Sequence, residues 1–226
     1  MVVHIDSLIY AVSTMITLST LDPLIASKSL LKHPFYVAWS KGELTLEDLR
    51  VYAKEYFHLV ERVPGIVMRV KNRVQDRDLQ KKIEANMQEE AEHVDLWMRF
   101  AKSLGISEQE LLEHVPSQKV VDAIASMETL AEQGAEEGIV CMYAMEAELP
   151  KIAETKKDGL CKFYGLNSED AHVYFDEHLK EEEHLKVWRT FPVHADRATA
   201  AATTSLTAQN LVLDAVCEAR GISMAC

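Results

Sequence analysis

Hydrophobic and polar positions along this chain run in long segments, with only 8 glycines and 6 prolines in 226 residues to interrupt them. Breakers at such long intervals suit an all-α fold. Asp22-Pro23 reads as a helix start, with proline at the first helical position, leading into Ile25 to Leu31. His33-Pro34-Phe35-Tyr36 follows, then a turn around Lys41-Gly42-Glu43. Thr45-Leu46-Glu47-Asp48 has the form of a capping box, Asp replacing the usual Glu or Gln, and opens a helix through about Val60. Pro64-Gly65 is expected to kink or break that helix.

A long helix is predicted from about Asp78 to Leu104, stopped by Gly105, and a short one from Ser107 to His114. Another runs from Ser117 to Glu132. The most apolar segment is Ala135 to Ala153, with a bend expected at Pro150. Ser168 to Arg189 is predicted as one helix closed by Pro192, and Ala195 to Ala219 as the last, stopped by Gly221. With no repeat, heptad run or linker, the pattern gives one helical domain over residues 1–226, of seven or eight helices.

Composition narrows the function classes. The chain is 48% hydrophobic and 27% charged, ordinary for a globular protein, and its formal charge of −12 argues against nucleic acid as a partner. Cys141, Cys161, Cys217 and Cys226 show no close pairing, so free thiols in a reducing cytosol are expected. The apolar-leaning stretch Leu8 to Leu21 is interrupted by Ser, Thr and Asp, and no Lys or Arg precedes it. It lacks the form of a signal peptide or a membrane span, which predicts a cytoplasmic protein with no membrane partner.

Candidate chemistry lies in three segments. Glu90 and His93 are three apart, as are Glu181 and His184, with His178 one turn before Glu181. Residues three apart on a helix differ by about 60° in azimuth and about 4.5 Å in height, so each pair can reach one metal ion. Glu146 sits in the apolar run from Ile139 to Met145, where a buried carboxylate needs a partner. Two such pairs facing each other with a further carboxylate between them is how helical bundles hold two metal ions. Imidazole and carboxylate ligands with open positions suit iron that activates dioxygen, although manganese or zinc would also bind. Glu-rich helices are otherwise solvated faces, and Glu92 and Asp95 are read as surface charges.

The run from His33 to Thr45 (HPFYVAWSKGELT), together with Tyr52-Ala53-Lys54-Glu55-Tyr56, resembles the haem-oxygenase-like group that includes thiaminase II and pyrroloquinoline-quinone synthase. Within that TenA/PqqC-like group the chain is most similar to the CADD-like proteins, named after the chlamydial protein associating with death domains. The likeness runs from about Leu30 to Trp188 and is weak in residues 1–22 and 195–226. It implies an up-and-down helical bundle with a non-haem dimetal centre, iron with iron or iron with manganese. It also implies dioxygen as co-substrate, an external small-molecule reductant and a homodimer. CADD-like proteins are regarded as makers of para-aminobenzoate for folate synthesis, consuming one of their own tyrosines in a single turnover. Carried over residue by residue, the metal ligands would be Glu90, His93, Glu146, His178, Glu181 and His184. Tyr36 would be the tyrosine consumed, Tyr52 an aromatic near the metals, and Lys156 the source of nitrogen.

Two departures stand. The family's first motif has a longer Glu-to-His interval, which leaves Glu89 and Glu90 as alternative anchors. Its last motif is His-x-x-x-Asp-x-x-His, one residue longer than His178-x-x-Glu181-x-x-His184 here. The missing residue rotates His178 by about 100°; a π-bulge would absorb this, and Glu182 then competes with Glu181. From the residues alone, Tyr36 is a packed aromatic beside Phe35 and Trp39, and Lys156, in Thr155-Lys156-Lys157-Asp158, is an ordinary solvated charge.

The rival enzyme reading is a thiaminase II-like hydrolase with Cys141 as nucleophile, assisted by Tyr143 or Glu146; it leaves His93, His178 and His184 without a task. A quinone-synthase-like oxidase fits less well, because that site is basic. The non-enzyme reading is a death-domain-type interaction protein, for which no sequence feature marks a partner surface.

Overall fold

The computed structural model describes residues 14–224 apart from 181 and 190, with the backbone but not the side chains of 182–184. Its described helices are α1 (Asp22–Ser27), α2 (Pro34–Lys41), α3 (Leu46–Val60), α4 (Val63–Arg73), α5 (Arg77–Ser103), α6 (Glu108–Leu112), α7 (Gln118–Gln133), α8 (Ala135–Glu146), α9 (Leu149–Tyr164), α10 (Glu169–His178), α11 (Glu182–Arg189) and α12 (Ala195–Arg220). A two-stranded antiparallel ribbon pairs β1 (Met15–Thr17) with β2 (Pro192–His194), Ile16 opposite Val193. It ties the start of the described chain to the entry of α12.

The start and stop signals act as the sequence indicates. Thr45 accepts from the Asp48 backbone N–H while Asp48 accepts from the Thr45 backbone N–H, closing the capping box. Gly42 ends α2 at φ 71° and Gly221 ends α12 at φ 64°, conformations that side chains rarely adopt. Among the described residues twelve α-helical segments stand where seven or eight are expected, because two predicted helices are each cut in two and Pro34–Lys41 and Val63–Arg73 form helices of their own. The first predicted helix stops at Ser27, and a single 3₁₀ turn, Leu30–Lys32, follows. The apolar segment breaks after Glu146, placing Pro150 in the first turn of α9, where its missing N–H costs nothing. The predicted helix from Ser168 to Arg189 ends at His178. The described backbone resumes as α11 at Glu182, Glu181 lies outside the described residues, and no π-helix occurs among the described residues.

The core has two regions. One gathers α4, α7, α8 and α12 around Val67, Met127, Met142 and Val212. The other is aromatic, with Phe35, Trp39, Tyr52, Trp97, Phe100 and Phe175 from α2, α3, α5 and α10. The candidate chemistry lies beside the aromatic region. No helix among the described residues is long and apolar enough to cross a membrane.

Candidate active site

The inward stripe of α5 runs Ile83, Asn86, Glu90, His93, Trp97 and Phe100, all buried. Glu90 and His93 are each 6% exposed, and Glu90 Oε2 lies 3.2 Å from His93 Nδ1. Glu89 is exposed, as are Glu92 and Asp95, so of the two alternative anchors it is Glu90 that faces the interior. At the end of α10, His178 is 3% exposed, and its ring centroid is 4.5 Å from that of His93. The His178 ring donates from Nδ1 to the Tyr174 carbonyl at 2.7 Å, which fixes its orientation. Glu146, at the last position of α8, is fully buried and accepts the Trp188 indole N–H at 2.7 Å.

Trp188 belongs to α11, so the indole bond links Glu146 to the helix expected to carry the remaining ligands. Of those, Glu181 lies outside the described residues, and so do the side chains of Glu182 and His184. Among the described residues no three His, Cys, Asp or Glu side chains form a metal-holding group. What is brought together is an imidazole pair with one adjacent carboxylate, in a buried space that α11 borders. The donor types fit a first-row metal with open positions.

The second half of the site is a cage around Lys156. This side chain, from α9, is 2% exposed, and its Nζ lies 5.3, 5.3, 5.1 and 5.3 Å from the ring centroids of Tyr36, Tyr52, Tyr56 and Phe175. Burial pulls its pKa down to about 7, so much of it is free amine near neutrality. This corrects the reading of Lys156 as a solvated charge. The hydroxyls of Tyr36 and Tyr52 are 3.2 Å apart. Burial first, then neighbouring phenols, raises both well above the ordinary tyrosine range, so both stay protonated. Trp39 fixes the far wall: its indole N–H donates to the Lys156 carbonyl at 3.2 Å, and Gly159 leaves the space its ring fills.

Three residues to which the sequence assigns no role connect the halves. Tyr56 stacks on Trp97 at 5.1 Å, Trp97 meets Tyr174 edge-on at 4.7 Å, and Tyr174 lies 4.3 Å from the His178 ring. The Tyr56 phenol is pushed up to about 12 by burial and then by the charge of Glu90. Tyr56 thus lies near both Lys156 and Glu90. Its position four residues after Tyr52 on α3 was the available signal.

A family model described as TENA/THI-4/PQQC matches residues 21–219, nearly the whole described chain. The chain belongs to this family. A 4-aminobenzoate synthase of Chlamydia muridarum is 34% identical over 166 residues, which are 71% of this chain and 70% of that protein. A protein of Shewanella denitrificans with a haem-oxygenase-like fold superposes with a TM-score of 0.79 at 18% identity, covering 91% of this chain and 94% of that one. A CADD-like protein of Nostoc punctiforme gives a TM-score of 0.71 at 17% identity, covering 91% and 96%. The expected TenA/PqqC-like, haem-oxygenase-like all-α fold is thereby borne out.

Within this TENA/THI-4/PQQC fold, Cys141 is poorly placed as a nucleophile. It is fully buried, its thiol donates to Ser205 Oγ at 3.6 Å, and burial pushes its pKa up to about 11. A thiol so far from ionisation is a small core residue.

Proposed function

We propose that the chain is an oxygen-dependent 4-aminobenzoate synthase that builds its product from its own Tyr36, with Lys156 supplying the nitrogen. The Chlamydia relative, a 4-aminobenzoate synthase, supports the product. The observation that carries the choice of residues is the Lys156 amine, held 5.3 Å from the Tyr36 ring centroid inside a cage closed to water. Glu90, His93, Glu146 and His178 would hold two metal ions, iron with iron or iron with manganese, completed by Glu181 and His184. When bound, such a centre supplies the activation of dioxygen, with electrons from a small-molecule reductant.

The protein's own residues divide the remaining work. Tyr36 and Tyr52 share a hydroxyl contact that orients the Tyr36 ring and keeps its proton in place until the phenol is oxidised. The product is an aromatic ring with a one-carbon acid opposite an amine. Tyr36 supplies that ring once its Cα–Cβ bond is cut, with dioxygen oxidising the freed Cβ to the acid. The Lys156 nitrogen condenses with the oxidised ring carbon and expels the phenol oxygen as water. A proton then shifts from the lysine Cε as the ring regains aromaticity, and hydrolysis breaks the Cε–Nζ bond, leaving the amine on the ring and an aldehyde on the lysine. Lys156 is ready to attack because the cage lowers its pKa to about 7, leaving a nitrogen lone pair available. Trp39, bonded to the Lys156 carbonyl, holds the two reacting side chains in register. Each chain turns over once, because both side chains are consumed.

Replacing Tyr36 with Phe is expected to abolish 4-aminobenzoate formation and leave metal content unchanged. Undiminished product from Tyr36→Phe would remove Tyr36 from the reaction.

A further inference from the structure

Asn86 lies in the middle of α5, one turn before Glu90 on the same inward stripe. It is 2% exposed, and neither its carbonyl oxygen nor its amide nitrogen has a hydrogen-bond partner among the described residues. It is too far from either helix end to act as a cap, and asparagine is a poor interior helix residue compared with leucine. Burying an amide with all its hydrogen-bonding capacity unmet is costly, so such a group in a native core marks a missing partner. The rest of the stripe is apolar or carries the proposed ligands Glu90 and His93. The side chain offers a donor and an acceptor together, which matches a water molecule.

We propose that the Asn86 carboxamide binds a water carried by a cation held at Glu90 and His93, making Asn86 a positioning residue of that centre. The proposal rests on the dimetal reading above. It gives the side chain opposite effects in the two states of the protein. In metal-free protein the amide is a burden, and Asn86→Leu raises the melting temperature. In the metal-bound protein the amide orients a coordinated water, and Asn86→Leu weakens metal binding by about 10-fold.

The test titrates metal-stripped wild-type and Asn86→Leu protein with Mn²⁺, following free Mn²⁺ by electron paramagnetic resonance, and records the melting temperature of both before metal is added. A second measurement needs no variant: hydrogen exchange of the Asn86 side-chain amide in wild-type protein, with and without Zn²⁺. The expected results are a higher metal-free melting temperature, about 10-fold weaker Mn²⁺ binding in the variant, and slowed amide exchange when Zn²⁺ is bound. Wild-type metal uptake with unchanged variant affinity, or with amide exchange untouched by Zn²⁺, overturns the role of Asn86 alone. A lower metal-free melting temperature in the variant does the same, since it means the amide already has partners. Wild-type protein that takes up neither ion overturns the dimetal reading, and this proposal with it.

Discussion

Replacing Lys156 with methionine isolates the cost of keeping an amine in the aromatic cage. Methionine retains a long unbranched stem that can fill the same space without a charge. Burial lowers the Lys156 pKa from 10.5 to about 7, which corresponds to about 5 kcal/mol against the charged form. Because the folded pKa is depressed, the unfolded chain binds the extra proton between about pH 7 and pH 10.5, and wild-type stability rises with pH through that window. Below it the penalty is fully present. Lys156→Met is therefore expected to be more stable than wild type by up to about 5 kcal/mol near pH 6, with the gap narrowing as pH is raised. Urea unfolding of both proteins at several pH values reads this directly. A variant less stable than wild type near pH 6, or a gap that does not change with pH, would refute the reasoning. The same variant should make no 4-aminobenzoate, so stability and activity move in opposite directions, as expected of a strained reactive group.

Gly159→Ala should cost about 1–3 kcal/mol by thermal melting, because a Cβ there would lie 2.5 Å from Trp39 Nε1 and push the indole off the Lys156 carbonyl. Product yield should fall with it; unchanged melting and yield would show that the Trp39 contact is not needed. Cys141→Ser should retain full product formation, since a serine hydroxyl can still donate to Ser205 and the thiol is held near pKa 11. Loss of activity in that variant, with melting unchanged, would reopen a nucleophilic role for Cys141.

Much of the scaffold could be read from local chemistry. The Thr45–Asp48 box and the glycine stops at Gly42 and Gly221 are decided within a few residues, so sequence suffices to place them. The breaks after Glu146 and His178 are not legible because no glycine lies there, and Pro150, which opens a helix just beyond the first break, is as compatible with a bend within one helix. Glu90, His93, Glu146 and His178 are buried as their spacing suggested, although spacing could not say that His178 ends its helix. Lys156 was misread because its neighbours Lys157 and Asp158 are charged. The contrary signal was the stripe Ile152, Ala153, Lys156, Gly159 and Leu160, which puts the lysine on the buried face of α9. Asn86 lies on the equivalent stripe of α5, and only the structure shows that its amide has no partner among the described residues. The meeting of Tyr36, Tyr52 and Lys156 is a tertiary event between α2, α3 and α9, and no local pattern encodes it.

The central claim is that this chain is both the catalyst and the source of its product. Protein labelled with heavy carbon in its tyrosine rings and heavy nitrogen in its lysine side chains, supplied with iron, a reductant and dioxygen, puts that claim to a single mass-spectrometric measurement. The account predicts 4-aminobenzoate carrying both labels, in an amount no greater than one molecule per chain. Unlabelled product, or product in excess of the protein, would contradict it.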